Sequence, residues 1–318
     1  MNDVYAEWDE WETINALKFS LEEYHDVVLI EANLNAYNNF IKEKPDIVFN
    51  IAEGSNGISR ESQIPAMLDL LNIPYTASDP LTLATCLNKA RSKEILSYYG
   101  IPNSKFRVIN SKTDLLNSAL KYPLIIKPIG EGSSKGIFNS SLIYSFEDLN
   151  GTLESRIENY NQSFIAEEYL PGREFTVAVM GNGEEAEVLP IVEINFDALP
   201  SSIHPIYSYE AKWILDGPDH PLEMYKCPAD LNEKLEEKIK KITLDAYNVL
   251  NCKDWSRIDV RLDNYGEPNI IEVNPLPGIL PDPNNNSCYP KAARASGLTY
   301  SEMINNVLYF ALKRNYLI

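Results

Sequence analysis

Apolar residues gather in two short β-branched runs near the start of the chain, DVVLIEA (residues 26–32) and DIVFNIAEG (46–54). Runs of this length without polar alternation are expected of strands buried on both faces, as in a parallel sheet. Between and after them, ETINALKFSLEEY and ESQIPAMLDLLN carry helical spacing, and IPYTASDP reads as a strand and turn. Strand and helix thus alternate over residues 1–82, the βαβ signature of a small doubly wound domain with a parallel sheet. Such a domain normally opens with a strand, whereas this chain begins at a loop and helix. Either the first strand is contributed differently, or the chain start is truncated or misassigned and the domain lacks it.

The pattern then changes. TLATCLNKARSKEILSYYG reads as one helix closed by Gly100. SKFRVI and YPLIIKPIG bracket a short helix, DLLNSALK, and FIAEEYL and EFTVAVMG follow, which predicts a small α+β domain of antiparallel strands over residues 83–177. A third region, 178–318, holds EVLPIVEI, a loop-rich stretch to about residue 230, a long helix LNEKLEEKIKKITLDAYNVLN, and the strands WSRIDVRLD and NIIEVNP. The helix's charges, Glu233, Glu236 and Glu237 with Lys238, Lys240 and Lys241, predict a solvated face with i,i+4 pairs.

Composition narrows the function. With 318 residues, 44% of them hydrophobic, the chain can build a substantial core in two or three subdomains. A formal net charge of -18 argues against a nonspecific nucleic-acid or anionic-membrane binder. It leaves room for a phosphate ligand, because one pocket can be locally basic. Cys86, Cys227, Cys252 and Cys288 form no CxxC pair and no zinc spacing, and read as free thiols in a reducing compartment. No run of 18 apolar residues and no signal peptide is visible, so a cytoplasmic location is expected.

Two stretches can carry chemistry. KPIGEGSSKG (127–136) is a glycine- and serine-rich turn after a strand, without the order of a P-loop. Its backbone N–H groups, Ser133, Ser134 and Lys127 suit phosphate oxygens; a flexible surface hairpin is the plain alternative. In SRIDVRLD and IEVNPLPG, Arg257 and Asp259 share one strand face, as do Glu272 and Asn274. If the two strands pair antiparallel, the patch is an oxygen-rich shell for Mg²⁺ and nucleotide phosphates, with Arg257 balancing an anion. The competing reading is the solvated face of an edge hairpin.

KPIGEGSSKGI, IAEEYLPGREFTVAV, YSYEAKW, CKDWSRIDVRLDNYGEPNIIEVNPLPG and YPKAARASGLTY stand in the order and spacing of one family. PDIVFNIAEG, SRESQIPAMLDLLNIPYTASDP and NKARSK match its N-terminal and hinge regions. Over nearly its whole length the chain resembles D-alanine–D-alanine ligases of the ATP-grasp superfamily. The resemblance implies an ATP-grasp fold behind an N-terminal parallel-sheet domain, ATP as substrate, and two Mg²⁺ ions, with Mn²⁺ as the alternative metal. It implies small amino-acid substrates, no nucleic-acid or membrane partner, and a homodimer.

The residue roles it implies run as follows. Lys89 and Lys127 bind ATP phosphates beneath the EGSSKG lid, in which Ser133 also shapes the substrate pocket and Ser134 adds a hydroxyl. Glu167, Glu168, Tyr169 and Leu170 line the adenine side, with backbone groups reading the base, and Glu174 holds the ribose. Lys212 is a phosphate-side lysine of a mobile loop, and Arg257 stabilises the tetrahedral intermediate and the acyl phosphate. Asp259, Glu272 and Asn274 bind the metals, Gly278 and Ser287 the second substrate, and Glu7 the first substrate's ammonium.

Three departures surround the amino-acid pocket. Trp213 stands where the family has a tyrosine whose hydroxyl meets the lid's first serine, and an indole offers only an N–H donor. Glu53 replaces a histidine. In the longer loop GILPDPNNNSCYP, Cys288 takes a usually apolar place, and Asn284, Asn285 and Asn286 either polarise the pocket or form a surface turn. D-alanyl-D-alanine is the product expected first. A different amino-acid or hydroxy-acid acceptor, and a non-catalytic nucleotide-binding protein, are the alternatives.

Overall fold

The computed structural model describes residues 9–116, 118–149, 153–216 and 222–318. Near its start, α1 (Trp11–Glu22), α2 (Ala36–Glu43) and α3 (Gln63–Leu71) surround extended segments rather than a sheet. Val48 and Tyr75 form one parallel bridge, backed by Val48 N–H to Pro74 O at 2.8 Å and Thr76 N–H to Val48 O at 2.9 Å. DVVLIEA joins no ladder among the described residues, and Val28 and Leu29 are 62% and 47% exposed. Among the described residues the expected parallel sheet amounts to this one bridge between Val48 and Tyr75. Apolar, β-branched residues favour extension, but a ladder needs a neighbour for every N–H and C=O.

The single helix expected over residues 83–100 is two, α4 (Pro80–Leu87) and α5 (Lys89–Tyr98). Asn88 makes the break: its backbone is extended (φ -85°, ψ 97°) and its side chain accepts from the Arg91 N–H, capping α5. The cap places Lys89 at the first position of α5 and Lys93 one turn on, along the same face. Gly100, at φ 71°, ends α5 as expected.

Two antiparallel sheets follow. One orders β1 (Phe106–Ile109), β2 (Leu124–Pro128), β3 (Leu142–Ile143) and β4 (Phe164–Glu168) as β1-β4-β2-β3, with α6 (Thr113–Leu116) and α7 (Leu153–Tyr160) joined to it in sequence. The other holds β5 (Glu174–Met180), β6 (Glu187–Val188), β7 (Val192–Ile194), β8 (Tyr225–Lys226), β9 (Trp255–Leu262) and β10 (Pro268–Asn274). Its order is β10-β9-β5-β7-β8, with β6 paired to β5.

Alternate residues of β5 serve two cores, as a strand period of two requires. Phe175, Val177 and Val179 pack with Ile239, Ala246 and Tyr247 of α8 (Glu233–Val249). Ala178 and Met180 pack with α9 (Cys288–Ala295), α10 (Tyr300–Arg314) and Leu17 and Leu21 of α1. The charge run of α8 forms the expected exposed pairs, Glu236 with Lys240 at 2.6 Å and Lys241 with Asp245 at 2.5 Å. At the far end, Arg314 donates to the wholly buried Asp254 (2.9 Å) and to the carbonyls of Tyr75 (2.6 Å) and Ala77 (2.9 Å). That contact binds α10 to the N-terminal segments.

Candidate active site

A cleft is lined by residues of both antiparallel sheets. β9 and β10 pair antiparallel, with Glu272 opposite Asp259 and Asn274 opposite Arg257, so the four polar side chains share one patch. The alternation of IEVN is not simple, however. A register shift between Ile270 and Glu272 inserts one residue, so Ile270 and Val273 enter the core while Ile271 lines the cleft beside Glu272. Strict alternation with Glu272 and Asn274 would place Ile271 in the core; the bulge places it in the cleft instead. At the bulge, the Ile270 N–H reaches the Pro102 carbonyl at 2.8 Å.

Each carboxylate of the patch is held by a cation. Arg257 donates to both oxygens of Asp259, at 3.1 and 3.0 Å. Lys89 Nζ lies 2.7 Å from Glu272. Burial alone would push the Glu272 carboxyl up, but Lys89, Lys127 and Arg257 outweigh it and hold it below its ordinary range. Asn274 donates from its amide to Asp259 at 3.3 Å. Two carboxylates and an amide oxygen on one face are hard oxygen donors, which fit Mg²⁺ or Mn²⁺. Among the described residues no group of three or more His, Cys, Asp or Glu side chains gathers for a metal, so a third protein ligand would come from Asn274.

At the other end of the cleft sits Glu167 on β4. Its Oε2 is 3.1 Å from Lys93 Nζ and accepts from the Ser104 hydroxyl at 2.7 Å; its Oε1 is 3.3 Å from Lys127 Nζ. Burial would raise this carboxyl, but Lys127, Lys93 and Ser104 bring it down to about 2. Glu168, Tyr169 and Leu170 continue the same wall. Glu174 is ion-paired with Arg261 at 2.7 Å. Arg261 also donates to the Tyr169 hydroxyl (2.7 Å) and the Pro205 carbonyl (2.6 Å), and stacks between Tyr169 and Phe196.

The EGSSKG turn lines the cleft and is tied down on both sides, which disfavours the free hairpin. Ser133 and Ser134 adopt left-handed conformations, φ 48° and 61°. Ser134 donates to the Tyr207 carbonyl at 2.7 Å, and Trp213 Nε1 donates to the Ser133 carbonyl at 3.1 Å. Gly136, at φ 70°, is required: a Cβ there would lie 2.3 Å from Pro128 Cγ. At the turn's start, Arg60 donates to the Gly130 carbonyl at 2.7 Å, and Lys135 is 2.8 Å from Glu131.

Lys212 lines the cleft, its Nζ 5.0 Å from the Trp213 ring. Cys288 faces the cleft beside Arg257, and burial pushes its thiol up to about 11, so it is neutral at pH 7. Ser287 is nearly buried, donating to the Gly278 carbonyl (3.1 Å) and accepting from the Leu280 N–H (3.2 Å). Asn284, Asn285 and Asn286 are not among the residues lining the cleft; Asn286 instead donates to Asp216 at 2.7 Å. Glu7 lies outside the described residues. Two further residues of the site carry a sequence signal: Lys93 follows Lys89 at i+4, and Arg261 continues the alternation of Arg257 and Asp259.

A cleft between two antiparallel sheets, cationic around a pair of strand carboxylates, defines an ATP-grasp ligase, an enzyme that forms carbon–nitrogen bonds. The family model described as D-ala D-ala ligase C-terminus matches residues 95–309. The chain belongs to the D-alanine–D-alanine ligase family. It is 34% identical over 250 residues to a D-alanine--D-alanine ligase of Bordetella avium, covering 78% of this chain and 73% of the relative. The fold matches that of a D-alanine--D-alanine ligase from Bacillus anthracis complexed with ATP, at a TM-score of 0.76 and 23% identity over 100% of this chain and 96% of the other. It is also similar to VanG D-Ala:D-Ser ligase from Enterococcus faecalis, with TM-score 0.67 and 28% identity over 84% of this chain and 73% of that one. Among the described residues no helix is long and apolar enough to cross a membrane.

Proposed function

We propose that this chain joins two small amino acids at the expense of ATP, with D-alanine on both sides as the leading pair. The observation that carries the reading is the facing of two strand carboxylates, Asp259 and Glu272, each paired with a cation that phosphate can claim, Arg257 and Lys89. A carboxylate is a poor acyl donor until phosphorylation supplies a better leaving group. The first carboxylate therefore takes the γ-phosphoryl group of ATP, releasing ADP, and the amine of the second amino acid attacks the resulting acyl phosphate, expelling phosphate and losing a proton as the amide forms. Lys89, Lys127 and Lys212 hold phosphate oxygens, and Arg257 offsets charge on the acyl phosphate and the tetrahedral intermediate. Asp259, Glu272 and Asn274 would hold Mg²⁺, which when bound would further neutralise phosphate charge. Ser133, Ser134 and the segment around Trp213 cover the reacting end and keep water from it.

Glu174 orients the ribose from its pair with Arg261, and Glu167 to Leu170 form the base wall. Glu7 receives the first ammonium; Ser287 and Gly278 lie where the second carboxylate binds. A second acceptor has support of its own. Cys288 brings a small, neutral thiol to the acceptor end, where a bulkier apolar side chain would exclude polar groups, so a hydroxyl-bearing amino acid is the next candidate. Purified protein with ATP, Mg²⁺ and a panel of D- and L-amino acids tests the whole reading. ADP release with a dipeptide mass identifies donor and acceptor together. No ADP with any pair would leave a nucleotide-binding protein without ligase activity.

A further inference from the structure

Lys93 lies outside the set of groups that would touch phosphate, metal or amino acid, yet it is among the most deeply buried side chains, 1% exposed. A buried ammonium is costly unless a partner and hydrogen bonds compensate it. Here the compensation is specific. Lys93 Nζ lies 3.1 Å from Glu167 Oε2 and donates to the Ser104 hydroxyl at 3.0 Å, while that hydroxyl donates to the same Oε2 at 2.7 Å. The Ile270 carbonyl, at the bulge, is 3.5 Å from the ammonium. One oxygen of Glu167 is thereby fully committed. The other, Oε1, accepts no hydrogen bond among the described residues, and its residue lines the cleft.

We propose that Lys93 is the positioning residue for purine choice: with Ser104 it fixes Glu167 as an anion whose other oxygen, which accepts no hydrogen bond among the described residues, accepts from an exocyclic amino group. The inference rests on the reading of this cleft as the nucleotide site. An amino group at purine C6 donates to that oxygen, whereas a carbonyl there opposes lone pair to negative charge. Lys127 does not duplicate Lys93, because it meets the other oxygen of Glu167, Oε1, at 3.3 Å. Lys89 and Lys93 thus divide one face of α5 between the two ends of the cleft, Lys89 toward Glu272 and Lys93 toward Glu167.

The test compares ATP with ITP, which differs in carrying a carbonyl at C6. Direct calorimetric titration of both nucleotides with Mg²⁺ is paired with steady-state kinetics for the wild type, Lys93→Met and Ser104→Ala. The wild type should favour ATP, and Lys93→Met should cut that preference at least about tenfold, the lower end of what a hydrogen bond to a charged group is worth. The loss should fall on the KM for ATP, with kcat at saturating ATP held within about threefold, as removal of uniform binding predicts. Equal weakening of ATP and ITP, or an unchanged ratio, would overturn the role. If Lys93→Met loses its circular dichroism or melting transition, Ser104→Ala decides, since it releases the same oxygen: an ATP-to-ITP ratio equal to wild type overturns the proposal. A wild type that binds neither nucleotide sinks the functional reading itself, whereas tight binding without preference sinks only this one.

Discussion

Replacing Glu272 by Gln should move two quantities in opposite directions. The Lys89–Glu272 pair is largely buried, its side chains 4% and 23% exposed and 2.7 Å apart. Without metal, ATP must take Lys89 from Glu272 before the lysine can serve a phosphate. A hydrogen bond to a charged partner is worth about 1.5–3 kcal/mol. With a neutral amide in place of the carboxylate that competition is relaxed, and affinity for metal-free ATP should rise about tenfold or more. Turnover with Mg²⁺ should nevertheless fall by about 10²–10³, the cost of losing one group that sets charge at the reacting phosphate. Calorimetric titration of ATP in excess chelator reads the first quantity, and ADP release under saturating Mg²⁺ the second. Unchanged or weaker metal-free binding would refute the view that Lys89 is held in reserve by Glu272. Turnover kept within tenfold would refute the metal role of the carboxylate.

Arg314→Met leaves Asp254 buried with only the Asn182 and Ala77 donors and should cost about 3 kcal/mol in urea unfolding; a loss below about 1 kcal/mol would class the pair with surface ion pairs. Glu167 is held at about 2 in the folded chain against an ordinary 4.5, so the native state binds fewer protons there. Its contribution, about 3 kcal/mol, is complete above the unfolded value and declines as pH falls from about 4.5 toward 2. Stability of Glu167→Gln should accordingly depend less on pH across that window than stability of the wild type, and parallel curves would count against it. Trp213→Tyr should change the ranking of amino-acid substrates more than ATP affinity, because the indole donates to the Ser133 carbonyl in the turn that would cover the reacting groups on the proposed reading; an equal loss for all amino acids, or none, would contradict that.

Much of the site is legible in the chain because strands repeat every two residues. Glu272 with Asn274, and Arg257 with Asp259, could be placed on common faces before their pairing was known. The same series reaches Arg261, and the KARSK spacing reaches Lys93, so both positions are readable from the chain. Other features have no local signal. The extra residue at Ile271 leaves the composition of IIEVN apolar and polar in the usual proportions, and only the partner strand reveals it. Trp213's hold on Ser133 spans 80 residues, and Asn286 meets Asp216 across 70. DVVLIEA has every local mark of a buried strand, yet Val28 and Leu29 are exposed, because burial is decided by neighbours distant in sequence. Asn88 shows how one capping side chain divides a stretch whose helical spacing is otherwise unbroken.

The bulge on β10 makes Ile271 a surplus residue. Ile270 still faces Val260 and Glu272 still faces Asp259, so the ladder on either side would keep its partners if Ile271 were removed. The strand's two duties are thereby uncoupled. Its regular positions deliver an acid and an amide at fixed depth, while the inserted one offers a greasy wall that can be resized, polarised or deleted without re-aiming them. The shape of the cleft wall can therefore change at one position while Glu272 and Asn274 keep their places opposite Asp259 and Arg257.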